Sequence, residues 1–193
     1  MLGELDVRLP GLHNVRNSLA AFAAARHAGA DFDAAARGLR AFEGVGRRFE
    51  RVGVRSGVLF IDDYAHHPTE LAATLSAARA SLEGRRIVAV FQPHLYSRTR
   101  DLAEDFGRAL TAADVVWVTD VYGAREQPID GVTGELVADA AKNAGAADVR
   151  YVTDLVQLET DLLAALQPGD ACIGMGAGNI NEVIRRVYAR RAA

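Results

Sequence analysis

The sequence predicts an α/β fold, a doubly wound and mostly parallel sheet, and three observations carry that prediction. Short apolar runs recur from about residue 57: Val58–Ile61, Ile87–Phe91, Val115–Val118, Val149–Val152 and Ala171–Met175. Helical patterns separate and follow them, near 69–82, 99–112, 133–144, 154–166 and 179–191. Glycine and proline punctuate the borders. Strands alternating with helices need crossover connections, which give parallel neighbours with helices on the sheet faces.

Taken in chain order, the first 46 residues read differently from the rest. Leu5–Leu9 alternates apolar and charged residues and predicts a strand, followed by Pro10-Gly11 and an Ala-rich helix from about 14 to 28. Gly29 ends that helix, and a second runs from Asp33 to about Phe42, before Glu43-Gly44-Val45-Gly46. An edge strand and two helices with so few large apolar residues cannot build a core. Residues 1–46 are therefore expected to be the tail of a preceding domain, and 47–193 the α/β domain. In that domain Pro68 and Thr133 stand where helices start, and Gly84 and Gly145 where they stop. Leu102, Phe106, Ala109 and Leu110 recur at the spacing of one buried helix face. The cluster Arg185, Arg186, Arg190 and Arg191 suits the negative end of a last helix.

Composition excludes several classes. Half of the 193 residues are apolar and the net charge is −3 with mixed signs, which gives no electrostatic case for nucleic acid. The one cysteine, Cys172, lies in an apolar run and fits a reducing cytoplasm. Glu4, Asp6, Arg8 and Arg16 break any signal-peptide core, and no stretch reaches the roughly 18 apolar residues of a membrane span. The expectation is a cytoplasmic protein with no membrane partner.

Ligands of open parallel sheets bind beyond the carboxyl ends of the strands, so the residues after each run matter most. Asp62-Asp63-Tyr64-Ala65-His66-His67-Pro68 follows the first run, and Gln92-Pro93-His94-Leu95-Tyr96-Ser97-Arg98 the second. Thr119-Asp120-Val121-Tyr122 and Gly176-Ala177-Gly178-Asn179 follow the third and the last. Three of the five histidines thus fall on one predicted edge. Asp62-Asp63 could be a turn and a helix cap, and Asp62, Asp63, His66, His67 and His94 could form a metal site, although no ligand spacing stands out. The late glycines lack the spacing of a dinucleotide fingerprint and read better as a tight strand-to-helix turn. Upstream, His13, Asn14 and Asn17 share one helix face, where two carboxamides can read a purine edge; Asn14 could equally be a cap. Arg48 and Glu50 could be an exposed pair, or Arg48 could fork onto phosphate oxygens.

Together these segments resemble the Mur ligase family, the ATP-dependent ligases that build the peptide stem of peptidoglycan. The resemblance runs through Gly11-x-His13-Asn14-x-x-Asn17, Gly46-Arg47-Arg48-Phe49-Glu50 and Asp62-Asp63-Tyr64-Ala65-His66-His67-Pro68-Thr69-Glu70. The tract Val90–Asp101 and the late Gly176-Ala177-Gly178-Asn179-Ile180 point to the branch that acts on UDP-N-acetylmuramate and L-alanine. The related ligase that recycles murein peptides shares the histidine-rich motif, and a non-catalytic nucleotide-binding or metal-binding module is a reading from another class. The resemblance implies that residues 1–46 end an ATP-binding domain and 47–193 form a Rossmann-like domain. It implies His13, Asn14 and Asn17 near the ATP adenine, Arg48 at phosphate or ribose oxygens, and Asp63 at the ribose hydroxyls. It places Tyr64, His66 and Arg98 at the reacting end of the muramyl substrate and the incoming alanine, with His66 and Arg98 catalytic. Many members carry arginine where this chain has Leu95. The implied reaction passes through an acyl phosphate and uses ATP and Mg2+. No Gly-x-x-x-x-Gly-Lys-Ser/Thr occurs in the chain, so the phosphate cradle and most Mg2+ ligands are expected upstream. The chain alone is expected to fold without catalysing ligation.

Overall fold

The computed structural model describes residues 3–9, 11–42 and 44–191, which divide into two compact units, Met1–Gly46 and Arg47–Ala193. In the first unit α1 spans Leu12–His27 and α2 spans Phe32–Ala41, with Asp31 capping α2 through the Ala34 N–H. Leu5–Leu9 forms no strand. The alternation shows in burial, with Leu5, Val7 and Leu9 half-buried and Glu4, Asp6 and Arg8 exposed. No ladder partner exists for it among the described residues, and a strand is defined by its partner. Pro10 and Glu43, which belong to the expected turn and glycine linker, lie outside the described residues.

The second unit carries β1 (Glu50–Arg55), β2 (Val58–Asp63), α3 (Pro68–Ser81), β3 (Arg86–Phe91), α4 (Tyr96–Leu110), β4 (Val115–Thr119), α5 (Glu135–Asn143), β5 (Val149–Val152), α6 (Leu155–Ala165), β6 (Asp170–Met175) and α7 (Ile180–Arg190). The sheet order is β1-β2-β6-β3-β4-β5. Every pair is parallel except β1 with β2. Alternate strand residues face opposite layers. Leu59, Ile61, Ala89, Phe91, Val116 and Ile173 pack under α3, α4 and α5, while Phe60, Val88, Val90, Trp117 and Cys172 pack under α6 and α7. The predicted doubly wound sheet is what forms, because its strands are apolar on both faces.

Three elements of the second unit depart from the sequence reading. Glu50–Arg55 was not apolar enough to read as a strand; it joins as an antiparallel edge through a hairpin at Ser56-Gly57, with φ of 47° and 73°. Two consecutive positive φ values match the twist of the flanking strands. Asp62 and Asp63 are the last residues of β2, not a turn and a cap. The α4 helix begins at Tyr96, so Arg98 lies in its first turn and not in a preceding loop.

The topology fixes where a site can be. From β2 the chain steps through β3 and β4 to β5, then returns to insert β6 between β2 and β3. The helices after β2 and β3 cover one face and that after β6 the other, so crevices open on both sides of β6 at the carboxyl rim. Asp63, Met175 and Phe91 stand in register there, and Val118 continues the row.

Candidate functional site

Both crevices are closed by the chain's own side chains. Beside β2, Arg47 donates from one terminal nitrogen to the Gly176 carbonyl at 2.6 Å and from the other to Gly178 at 3.3 Å. Its Nε lies 3.5 Å from the fully buried Asp62 carboxylate. Burial pushes the Asp62 carboxyl above its ordinary range, and Arg47 and then Arg185 oppose that shift. Beside β3, Gln92 accepts the Ile180 N–H at 3.2 Å and donates to Asn179 Oδ1 at 2.9 Å. A Cβ at Gly178 would collide with Gln92 Oε1 and the Tyr122 side chain. The start of α7 therefore has its amide already occupied, and the glycines are there for close packing. The tight-turn reading of Gly176–Gly178 fits this geometry, and a phosphate cradle does not.

The exposed chemistry lies further out, on the loops after β2, β3 and β4. Four rings form a row across the rim. Tyr64 meets His66 edge to face at 5.2 Å, His66 meets His94 at 5.8 Å, and His94 stacks on Tyr122 at 5.8 Å with 16° between planes. Arg98 donates to the His66 carbonyl at 3.2 Å, which joins the loop after β2 directly to the first turn of α4. The guanidinium groups of Arg47 and Arg48 stand 4.9 and 5.8 Å from the Tyr64 ring.

Local structure sets each ring. His67 and Glu70 form a reciprocal capping box at the start of α3, with Pro68 in its first turn. Glu70 also accepts the His66 N–H at 2.9 Å. His66 Nδ1 lies 2.8 Å from the Tyr64 carbonyl. A carbonyl only accepts, so Nδ1 carries a proton, and Nε2 is the ring nitrogen outside that bond. His94 Nδ1 is buried without a hydrogen-bond partner among the described residues. Burial holds the His94 pKa below its ordinary value, and the neighbouring Arg98 and His66 act in the same sense. A neutral imidazole beside a fixed guanidinium can accept a proton while the cation holds an anion.

Tyr64, His66 and Arg98 are thus brought together, with His94 among them. Asp63 lies one layer beneath, 6% exposed. Its oxygens accept the Phe49 and Ala65 N–H groups, both at 2.8 Å, and it shapes the loops on either side. Burial still raises its pKa against those bonds. Arg48 is exposed, and within the first unit Asn14 is half-buried and Asn17 exposed, one turn apart on α1; the His13 side chain is outside the described residues. Arg47 and Tyr122, which lie in segments the sequence singled out without a role of their own, and Glu126, to which nothing local in the sequence points, complete the site. Leu95 has φ 73° and precedes α4 as its N-cap. The candidate metal set does not converge: among the described residues no three His, Cys, Asp or Glu side chains are placed to share an ion.

A parallel sheet that turns rings and cations toward one rim defines a ligand-binding domain of the doubly wound class. Residues 47–178 match the family described as Mur ligase, glutamate ligase domain, and the chain belongs to that family. The chain is 50% identical over 190 residues to UDP-N-acetylmuramate–L-alanine ligase of Gloeobacter violaceus, covering 98% of this chain and 41% of that protein. The crystal structure of UDP-N-acetylmuramate–alanine ligase from Thermotoga maritima matches with TM-score 0.82 at 33% identity, over 97% of this chain and 40% of that one. A murein peptide ligase from Psychrobacter arcticus matches with TM-score 0.71 at 25% identity, over 98% and 39%. The chain therefore spans about two-fifths of the length of the relatives it matches, 41% in the first case. Among the described residues no helix is long and apolar enough to cross a membrane.

Proposed function

We propose that this chain supplies the C-terminal part of a cytoplasmic, ATP-dependent ligase that joins L-alanine to UDP-N-acetylmuramate in peptidoglycan synthesis. The observation that carries the reading is the direct contact of Arg98 with His66 inside the ring row, in a chain half identical to such ligases. In this reading Arg98 holds the carboxylate end of the muramyl substrate by charge-assisted hydrogen bonds. Tyr64 and the His66 and His94 rings line the place where the alanine amine enters, and a ring nitrogen accepts the proton that the amine loses on forming the amide. Holding amine and acyl carbon together is a large part of the rate such a site can supply.

The residues that the family resemblance assigns to the nucleotide carry chemistry that suits ATP. Asn14 and Asn17 offer carboxamides to the adenine, with His13 beside them in sequence, and the exposed Arg48 offers a guanidinium to phosphate or ribose oxygens. Asp63, buried and engaged by backbone N–H groups, reaches a ribose hydroxyl only through its remaining lone pairs. When bound, ATP supplies the phosphoryl group that makes the carboxylate reactive. The Mg2+ that accompanies it is proposed to be held mainly upstream, where the phosphate cradle is expected, since no Gly-x-x-x-x-Gly-Lys-Ser/Thr occurs in this chain. The chain by itself is proposed to be inactive.

The test is a full-length ligase carrying this C-terminal sequence, assayed for amino-acid-dependent phosphate release. Alanine-dependent release with UDP-N-acetylmuramate supports the reading. Release with murein tripeptide but not alanine favours the recycling ligase, and turnover by the chain alone contradicts the proposed division of labour.

A further inference from the structure

The connection between β4 and α5, residues 120–134, is the longest in the second unit, and it is fastened to the start of α4. The Tyr122 N–H donates to the Pro93 carbonyl at 2.8 Å, and the Leu95 N–H donates to the Tyr122 carbonyl at 3.0 Å. A side chain at Gly123 would press on the Tyr96 ring, and the Glu126 N–H closes a turn onto the Gly123 carbonyl at 2.9 Å. That turn delivers the Glu126 carboxylate to the first turn of α4. One oxygen accepts the Ser97 N–H at 2.9 Å and the other accepts the Ser97 hydroxyl at 2.5 Å.

The N-cap of α4, Leu95, contributes no side-chain hydrogen bond. A helix start leaves four N–H groups without intrahelical partners, and here a carboxylate 29 residues away in sequence meets one of them. Ser97 adjoins Arg98, and Tyr122 is the ring on which His94 rests. The bridge between Glu126 and Ser97 therefore joins the two ends of the His94–Arg98 site.

We propose that Glu126 is a positioning residue of the acyl-substrate pocket: by bridging Ser97 it holds Tyr122 flat against His94 and fixes the helix turn from which Arg98 reaches His66. The two hydrogen bonds from Ser97 keep the Glu126 pKa below the ordinary carboxylate range, with a smaller contribution from Arg98, so the bridge is ionised throughout the neutral range. Only the identity of the substrate rests on the ligase reading; the positioning is a property of this chain.

The experiment has two arms. In this chain, NMR follows the Ser97 amide and the His94 ring protons in Glu126→Ala, Glu126→Gln and Ser97→Ala, with melting temperature as the folding control. Glu126→Ala and Ser97→Ala are expected to move the His94 ring protons away from their stacked position. Glu126→Gln, which keeps an acceptor and a donor for Ser97, is expected to leave them near wild type. In the full-length ligase, Glu126→Ala should lower kcat/KM for UDP-N-acetylmuramate about tenfold, with the KM for ATP within about twofold. Glu126→Gln should recover most of that loss. The proposal is overturned if the His94 protons do not move in Glu126→Ala, if KM for ATP rises in parallel, or if the Gln variant is no better than Ala. If the wild-type full-length enzyme does not ligate alanine, the ligase reading falls, and the NMR arm still decides the role of Glu126.

Discussion

Replacing Arg47 by methionine removes a charge and keeps most of the bulk, and the consequences can be worked from the geometry. The variant loses the hydrogen bonds to the Gly176 and Gly178 carbonyls. It also leaves the buried Asp62 carboxylate with Arg185 at 3.8 Å as its nearest cation. Removing one partner of a buried ion pair costs about 3–5 kcal/mol. Arg47 keeps 23% side-chain exposure and Arg185 remains, so about 2–3 kcal/mol is the expected loss at pH 8. With a urea slope of about 2 kcal/mol/M, the midpoint falls by roughly 1–1.5 M.

The pH dependence of that loss has a definite sign. The folded-state pKa of Asp62 is raised by burial, with Arg47 opposing, so removing Arg47 raises it further. A raised carboxyl pKa means that the folded state binds more protons than the unfolded one. Its stabilising contribution is full below the unfolded value and is lost as pH rises through the folded value. The Arg47→Met penalty should therefore be smaller at pH 5 than at pH 8. Trp117, the sole tryptophan and buried in β4, reports unfolding of this unit. In a cycle with Asp62→Asn the two substitutions should couple by at least about 1 kcal/mol. Equal penalties at both pH values together with additive substitutions would refute the reasoning.

Three further outcomes follow from the same structure. Burial pushes the Cys172 thiol up to about 12, so it should resist alkylation at pH 8 in the folded chain and react fully in denaturant, as read by mass spectrometry. A Cβ at Gly107 would stand 2.5 Å from the Ala140 carbonyl carbon; Gly107→Ala should separate α4 from α5 and cost about 1–3 kcal/mol in urea unfolding. His94 should titrate by NMR below 6.5, the direction set by its burial. Because that pKa is lowered on folding, its contribution to stability is present above 6.5 and is lost as pH falls through the folded value.

The sheet was legible because its strands are continuous apolar runs bounded by glycine and proline, a signal that needs no partner to be read. Glu50–Arg55 was not, since charge and glycine dominate it and only the Ser56-Gly57 hairpin recruits it to an edge. Leu5–Leu9 failed in the opposite way, with the right alternation and no strand beside it. The rim histidines could be placed because parallel strands deliver their following loops to one edge. The tertiary clamps could not. Arg47 with Gly176 and Gln92 with Asn179 join residues 129 and 87 positions apart, and no local pattern encodes such pairs. The early start of α4 was hidden for the same reason, its capping carboxylate being remote. Asp63 shows a further limit: sequence marks it as special, but only burial reveals that backbone N–H groups engage it.

The central claim is that the rim where Arg98 meets His66 handles the carboxylate-bearing substrate, and steady-state kinetics of Arg98→Ala in a full-length ligase carrying this sequence test it most directly. Loss of a charge-assisted contact should lower kcat/KM for UDP-N-acetylmuramate by about 100-fold or more, while KM for ATP changes by less than about threefold. An unchanged kcat/KM for the muramyl substrate, or a loss confined to ATP, would contradict the account.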